Sequence, residues 1–100
     1  MSPRVRITYC SKCRWMLRSL MYAGELLQTF EAEIGELTLV PGDPERETGI
    51  FRVDVDGQPV WNRKTDGGFP DISELKRRVR DLVAPGRSLG HGDRAAEVER

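Results

Sequence analysis

The chain has no apolar run near the ~20 residues that span a bilayer. Its opening, Met1-Ser2-Pro3-Arg4, lacks the hydrophobic stretch of a signal peptide. It has no charge excess of either sign, with 16 basic side chains against 16 acidic ones. That balance lacks the basic footprint of a nucleic-acid binder. It has one histidine, His91, in a polar C-terminal stretch, and only two cysteines. A structural zinc site takes about four Cys/His ligands, which argues against one within a single chain. A zinc shared between two chains through four cysteines stays open. No Ser/His/Asp arrangement or paired-carboxylate signature is recognisable, and His91 reads as a solvated residue. These absences predict a cytoplasmic protein with no membrane or nucleic-acid partner and no resident cofactor.

What is present centres on Tyr9-Cys10-Ser11-Lys12-Cys13-Arg14-Trp15. An alternating apolar run precedes it and a helical pattern follows. Two thiols at this spacing, on the opening turn of a helix, can close a small disulfide ring. Orphan N–H groups and the partial positive charge of a helix start favour a thiolate. Lys12 and Arg14 add two cations. A free cysteine titrates near ~8.5, and such surroundings lower that value. A thiolate attacks disulfides and oxidised thiols, and a second thiol then resolves the mixed disulfide. In a βαβ context such a pair reads as a thioredoxin-like redox motif. The competing reading, two inert buried thiols, fits poorly with a Ser-Lys loop flanked by arginine.

One hundred residues make one domain. Arg4 to Tyr9 alternates as a strand, with Val5, Ile7 and Tyr9 on one face. Arg14 to about Glu33 reads as a helix whose apolar stripe is Met16, Leu20, Ala23, Leu27 and Phe30, widened by Trp15, Leu17 and Leu26. Trp15 belongs either to the core or to a wall beside the thiols. Gly24 interrupts the helix interior, which the close approach of another backbone would rationalise. Gly35 fits a C-terminal stop. Glu36 to Val40 is a second strand. Pro41 to Gly49 is a polar connector. Ile50 to Val55, the Asp56-Gly57 turn and Gln58 to Asn62 form a hairpin, and Pro59 favours an edge position for its second strand. Thr65 to Pro70 is a glycine-rich turn that packs Phe69. Asp71 and Glu74 resemble a capping box. It opens a helix with Ile72, Leu75, Val79, Leu82 and Val83 on one face, and a solvated basic face of Lys76, Arg77, Arg78 and Arg80. Ala84-Pro85-Gly86 stops it. Residues 87–100 read as a polar, flexible tail after a redox domain of residues 1–86.

The order predicts an α/β fold, β-α-β-β-β-α, with a mixed four-stranded sheet and two helices. The first two strands are parallel with a right-handed crossover, and the last two form an antiparallel hairpin. The dithiol falls at the C-terminal end of the first strand, where α/β sheets commonly place ligands.

Three segments together resemble a known family. They are Val5 to Cys13, the hairpin from Gly49 to Gly57, and Gly68-Phe69-Pro70-Asp71 through Leu75-Lys76. They resemble the selenoprotein W-like family, also called the Rdx group. Ala84 to His91 looks like its bacterial branch, and the resemblance covers residues 4 to 92. It implies a thioredoxin-like fold and a redox role, with protein thiols or glutathione as partners and glutathione as candidate reductant. It carries over Cys10 and Cys13. Selenocysteine occupies the second motif position in the selenoprotein members, which is Cys13 here. Thioredoxin logic makes Cys10 the attacking thiol, and that order is adopted at this stage. The selenoprotein pattern points instead to position 13. Two departures stand out. Arg52 replaces an acidic residue of the relatives, and Thr48-Gly49 stands where thioredoxins carry a cis-proline.

The leading expectation is a thiol–disulfide oxidoreductase or redox-responsive protein. The alternatives are a non-catalytic module whose binding depends on the redox state of the pair, and a zinc-bridged dimer. The oligomeric state is left open.

Overall fold

In a computed structural model, which describes residues 2–90, the chain forms four strands and three helices. They are β1 (Arg4–Tyr9), α1 (Met16–Thr29), β2 (Glu36–Pro41), β3 (Phe51–Val55), β4 (Gln58–Asn62), α2 (Arg63–Asp66) and α3 (Ile72–Val83). The sheet order is β2-β1-β3-β4. β1 runs parallel to β2 and antiparallel to β3, and β3 runs antiparallel to β4. The mixed sheet and the parallel first pair are as expected, and β4 with Pro59 lies at an edge.

Alternation decides which face is buried. Val5, Ile7 and Tyr9 on β1 pair across to Val55, Val53 and Phe51 on β3. All six are buried in one cluster with Tyr22, Ala23, Leu26 and Phe30 of the first helical segment, and with Leu75 and Val79 of α3. Both long helices therefore cover the same face. The other face is open and polar. There Arg4, Arg6, Thr38, Arg52 and Asp54 line a solvent-facing groove, and Arg52 pairs with Asp54 at 2.9 Å. Arg52 thus has its acidic partner two residues along its own strand.

The Asp56-Gly57 turn has both central residues at positive φ, 49° and 82°. That is the backbone of a tight primed hairpin turn. The Asp56 carboxylate also accepts from the Arg4 N–H at 2.9 Å, tying the turn to β1.

Four expectations are corrected. First, there are three helices among the described residues rather than the two expected. α2 forms directly after β4 and takes in the start of the expected glycine-rich turn. The Asn62 side chain accepts from the Lys64 N–H, and the Asp66 carboxylate accepts from the Asn62 N–H. Gly67 closes this turn at φ 85°. Such reciprocal capping stabilises a single turn despite its length. Second, α1 begins at Met16, not Arg14, because Arg14 sits at φ 61°, outside helical space. Third, α1 ends at Thr29, with Phe30 as its C-cap. Gly35 is not its stop, and its N–H instead donates to the Pro3 carbonyl.

Fourth, the buried stripe of α1 is rotated. Ser19, Tyr22, Ala23 and Leu26 are buried, whereas Met16, Leu17, Leu20, Met21 and Leu27 are exposed. Two polar residues accept burial because each is satisfied. The Ser19 hydroxyl donates to the Trp15 carbonyl at 2.8 Å and the Tyr22 hydroxyl to the Pro70 carbonyl at 2.6 Å. Buried polar groups are tolerated once paired, so hydrophobicity alone misplaces the face.

The basic run of α3 is mostly occupied within the chain. Lys76 pairs with Glu25, Arg77 and Arg78 with Glu74, and Arg78 also with Asp66. Glu74 is held below the ordinary carboxylate range, first by the hydrogen bond from Arg77, with burial opposing and Arg78 assisting. A lowered folded-state pKa contributes stability above the unfolded value of ~4.3 and loses it as pH falls through the folded one. The pair is partly solvated, so the contribution is small, roughly 0.3–0.5 kcal/mol. Glu74→Gln is expected to lower the midpoint of thermal unfolding slightly at pH 7. The two proteins should converge in acid, as read by circular dichroism at both pH values.

The beginning of the expected tail is docked. Arg87 pairs with Glu33 at 2.7 Å, and Leu89 packs on the core. His91 and the rest of that tail lie outside the described residues.

Candidate functional site

The chain leaves β1 at Tyr9 and enters Cys10, whose N–H donates to the Ile50 carbonyl at 2.8 Å. That bond holds the dithiol loop against the segment that leads into β3. The neighbouring Gly49, at φ 79°, lets the chain turn there at little steric cost. Residues 11–14 form a turn closed by Arg14 N–H to the Ser11 carbonyl at 3.1 Å. The positive φ of Arg14 folds the loop back on itself before α1 begins.

The two sequence-predicted residues are brought together. Cys10 and Cys13 are joined in a disulfide, with their Cα atoms 5.3 Å apart. The pair therefore lies in the turn before α1 rather than on its opening turn. Their environments differ. Cys10 is only 1% exposed, whereas Cys13 is half-buried. The Cys13 N–H points at the Cys10 sulfur at 3.1 Å. An N–H so placed stabilises negative charge on that sulfur when the bond opens.

The loop is followed by Trp15, whose N–H donates to the Cys10 carbonyl at 3.4 Å and whose ring joins an aromatic cluster. Trp15 meets Phe69 edge to face, with ring centroids 4.8 Å apart. Phe69 in turn packs on Phe51 at 5.1 Å. Trp15 is half-buried and packs against the core as well as Phe69, and Phe69 is the residue that the glycine turn packs. The Trp61 indole N–H donates to the Gly68 carbonyl at 2.9 Å and fixes that turn. Arg63 lies 4.8 Å from the Trp15 ring centroid and Arg18 lies 4.2 Å from that of Phe69. Both distances fall within cation–π range. Burial raises the pKa of the Tyr22 hydroxyl, Arg18 pulls it down and Asp71 adds to the rise.

Sequence reasoning missed the Arg63 guanidinium over the Trp15 ring and the backbone bond from Cys10 to Ile50, although the resemblance sets Thr48-Gly49 at the place of the cis-proline. Arg63 carried no local signal beyond its charge. Gly49 was a visible signal, because a glycine at the start of an alternating strand marks a special backbone position. Among the described residues no group of three or more His, Cys, Asp or Glu side chains is placed to hold a metal ion. No helix among them is long and apolar enough to cross a membrane.

A disulfide between Cys10 and Cys13, following the first strand of a mixed four-stranded α/β sheet, is the arrangement of a thioredoxin-like fold. The profile of the Rdx family matches residues 4–81, and the chain belongs to that family. A crystal structure of a Bordetella parapertussis protein is 48% identical, over 81% of this chain and 98% of that one, with a TM-score of 0.74. The selenoprotein W-related protein from Vibrio cholerae is 41% identical, over 83% and 99% of the two chains, with a TM-score of 0.75. No curated protein matches the chain.

Proposed function

We propose that the protein is a thiol–disulfide oxidoreductase in which Cys13 attacks and Cys10 resolves. The observation that carries this reading is the unequal burial of a bonded pair, with Cys10 sealed and Cys13 half-buried. A partner reaches Cys13 first. In the reduced state the Cys13 thiolate attacks one sulfur of a partner disulfide and expels the other as a thiolate. Cys10 then attacks the Cys13 sulfur, and the partner leaves as a second thiolate. Two electrons pass from the pair to the partner disulfide. The two thiol protons end on the released thiols, and the Cys10–Cys13 disulfide remains. Glutathione or another thiol reductant reverses these steps. The order is the reverse of the thioredoxin logic adopted from sequence, and burial is the reason.

Reduced Cys10→Ser protein mixed with glutathione disulfide tests the assignment. The expected product is a stable glutathione adduct on Cys13, seen by intact mass and located by peptide mapping. Protein that stays unmodified while its Cys13 is free would rule this order out.

A further inference from the structure

The exposed side of α1 is not used by the redox pair. Met16, Leu17, Leu20, Met21 and Leu27 are 41–71% exposed there. Leu17, Leu20, Gly24 and Leu27 recur at spacings of three, four and three, so they form one straight stripe. The stripe is separate from the face that packs on the sheet. Gly24 sits in its middle, and a Cβ there would meet nothing within 4 Å. The fold of one chain therefore gives no reason for glycine at this point, where it weakens the helix relative to alanine.

We propose that this face is the interface of a reversible homodimer, in which two α1 helices pack antiparallel about a two-fold axis near Tyr22. In that register Leu20 of each copy enters the gap over Gly24 of the other, and Leu17 meets Leu27. A two-fold interface must be self-complementary, and the charges of α1 satisfy that demand. The first turn holds Arg18 and no acid, and the last turn holds no base. Lys12 and Arg14 precede the helix, and Glu31 follows it. Each end thus carries the sign that its own helix dipole disfavours. Lys12, Arg14 and Glu31 are exposed, and none has an ion-pair partner among the described residues. Antiparallel pairing brings Glu31 of each copy to the Lys12–Arg14 loop of the other, and answers both ends at once.

Another occupant from the same chain fits poorly. Residues 91–100 contain only Ala95, Ala96 and Val98 as apolar side chains, too little to cover five large ones. The patch lies on one four-turn helix, against roughly 800 Å² per partner in a standard complex. The dimer is therefore weak, with a micromolar dissociation constant.

Sedimentation equilibrium of the full oxidised chain, from roughly 1 μM to 1 mM, tests the proposal. The wild type is expected to pass reversibly from monomer to dimer. Leu20→Arg should stay monomeric with an unchanged circular dichroism spectrum. Gly24→Ala supplies the readout that a merely structural role would not give. It should raise the thermal midpoint of dilute, monomeric protein, yet raise the dimer dissociation constant about tenfold or more. A wild type that stays monomeric throughout would overturn the proposal. So would a dimer that survives Leu20→Arg, or a Gly24→Ala protein that dimerises as well as the wild type.

Discussion

Replacement of Cys13 by serine is expected to abolish disulfide exchange, lowering its rate by about a thousandfold or more. The substitution removes the one sulfur nucleophile of the pair that a partner can reach. Cys10 cannot stand in for it. Its sulfur is sealed behind the loop, at 1% exposure, and its own N–H is tied to the Ile50 carbonyl. Cys10→Ser should behave differently. It leaves the first attack intact, blocks the second, and accumulates the mixed disulfide. The two variants are thus predicted to differ in kind: one does not react, and the other reacts once and stops. Stopped-flow measurement against a small disulfide, with intact mass of the quenched protein, separates them. Equal loss without an adduct in either variant would count against the assigned order.

Phe51→Ala is expected to cost about 3–5 kcal/mol of folding stability. A small domain has only about 5–15 kcal/mol in all. Phe51 is fully buried at the start of β3, in register with Tyr9. Its ring touches Tyr22 of α1 at 5.3 Å and Phe69 at 5.1 Å. It thus joins three parts of the molecule: the strand that leads to the redox pair, the helix that follows it, and the turn that carries Phe69. A cavity there cannot collapse without moving one of them. The prediction has a second part. Phe69 loses one of its two ring partners, so its packing with Trp15 should loosen even where the protein still folds. Urea denaturation reads the first effect. Trp15 and Trp61 both report on this region, so a change in near-ultraviolet dichroism at low denaturant reads the second.

The strands were legible because their signals are local. Arg4 to Tyr9 alternates cleanly, and Asp56-Gly57 names its own turn. The pairing followed from connectivity, since a helix between two strands imposes a parallel crossover. The position of the Cys10–Cys13 pair was legible for the same reason, as two cysteines at fixed spacing between a strand and a helix. Part of what was not legible depended on contacts distant in sequence. The buried stripe of α1 turned on Tyr22 finding the Pro70 carbonyl, 48 residues away. An apolar pattern covering two sides of a helix cannot say which side meets the sheet. The α2 turn depended on Asn62 accepting from the Lys64 N–H and Asp66 accepting from the Asn62 N–H, local bonds that compete closely with an open loop. The positive φ of Arg14 had no glycine or asparagine to announce it, so the helix start was placed two residues early. Which cysteine reaches solvent was equally hidden, because the Gly49-Ile50 segment that covers Cys10 arrives from almost forty residues downstream.

The central claim is that Cys10 and Cys13 cycle between dithiol and disulfide within a folded protein. Alkylation and mass spectrometry across a graded glutathione redox buffer, on wild-type protein whose circular dichroism is followed in parallel, test it most directly. The account predicts a reversible conversion to the intramolecular disulfide, with a midpoint of roughly −200 to −300 mV and an unchanged fold. Thiols that stay reduced across the whole series, or that oxidise only once the protein has unfolded, would contradict it.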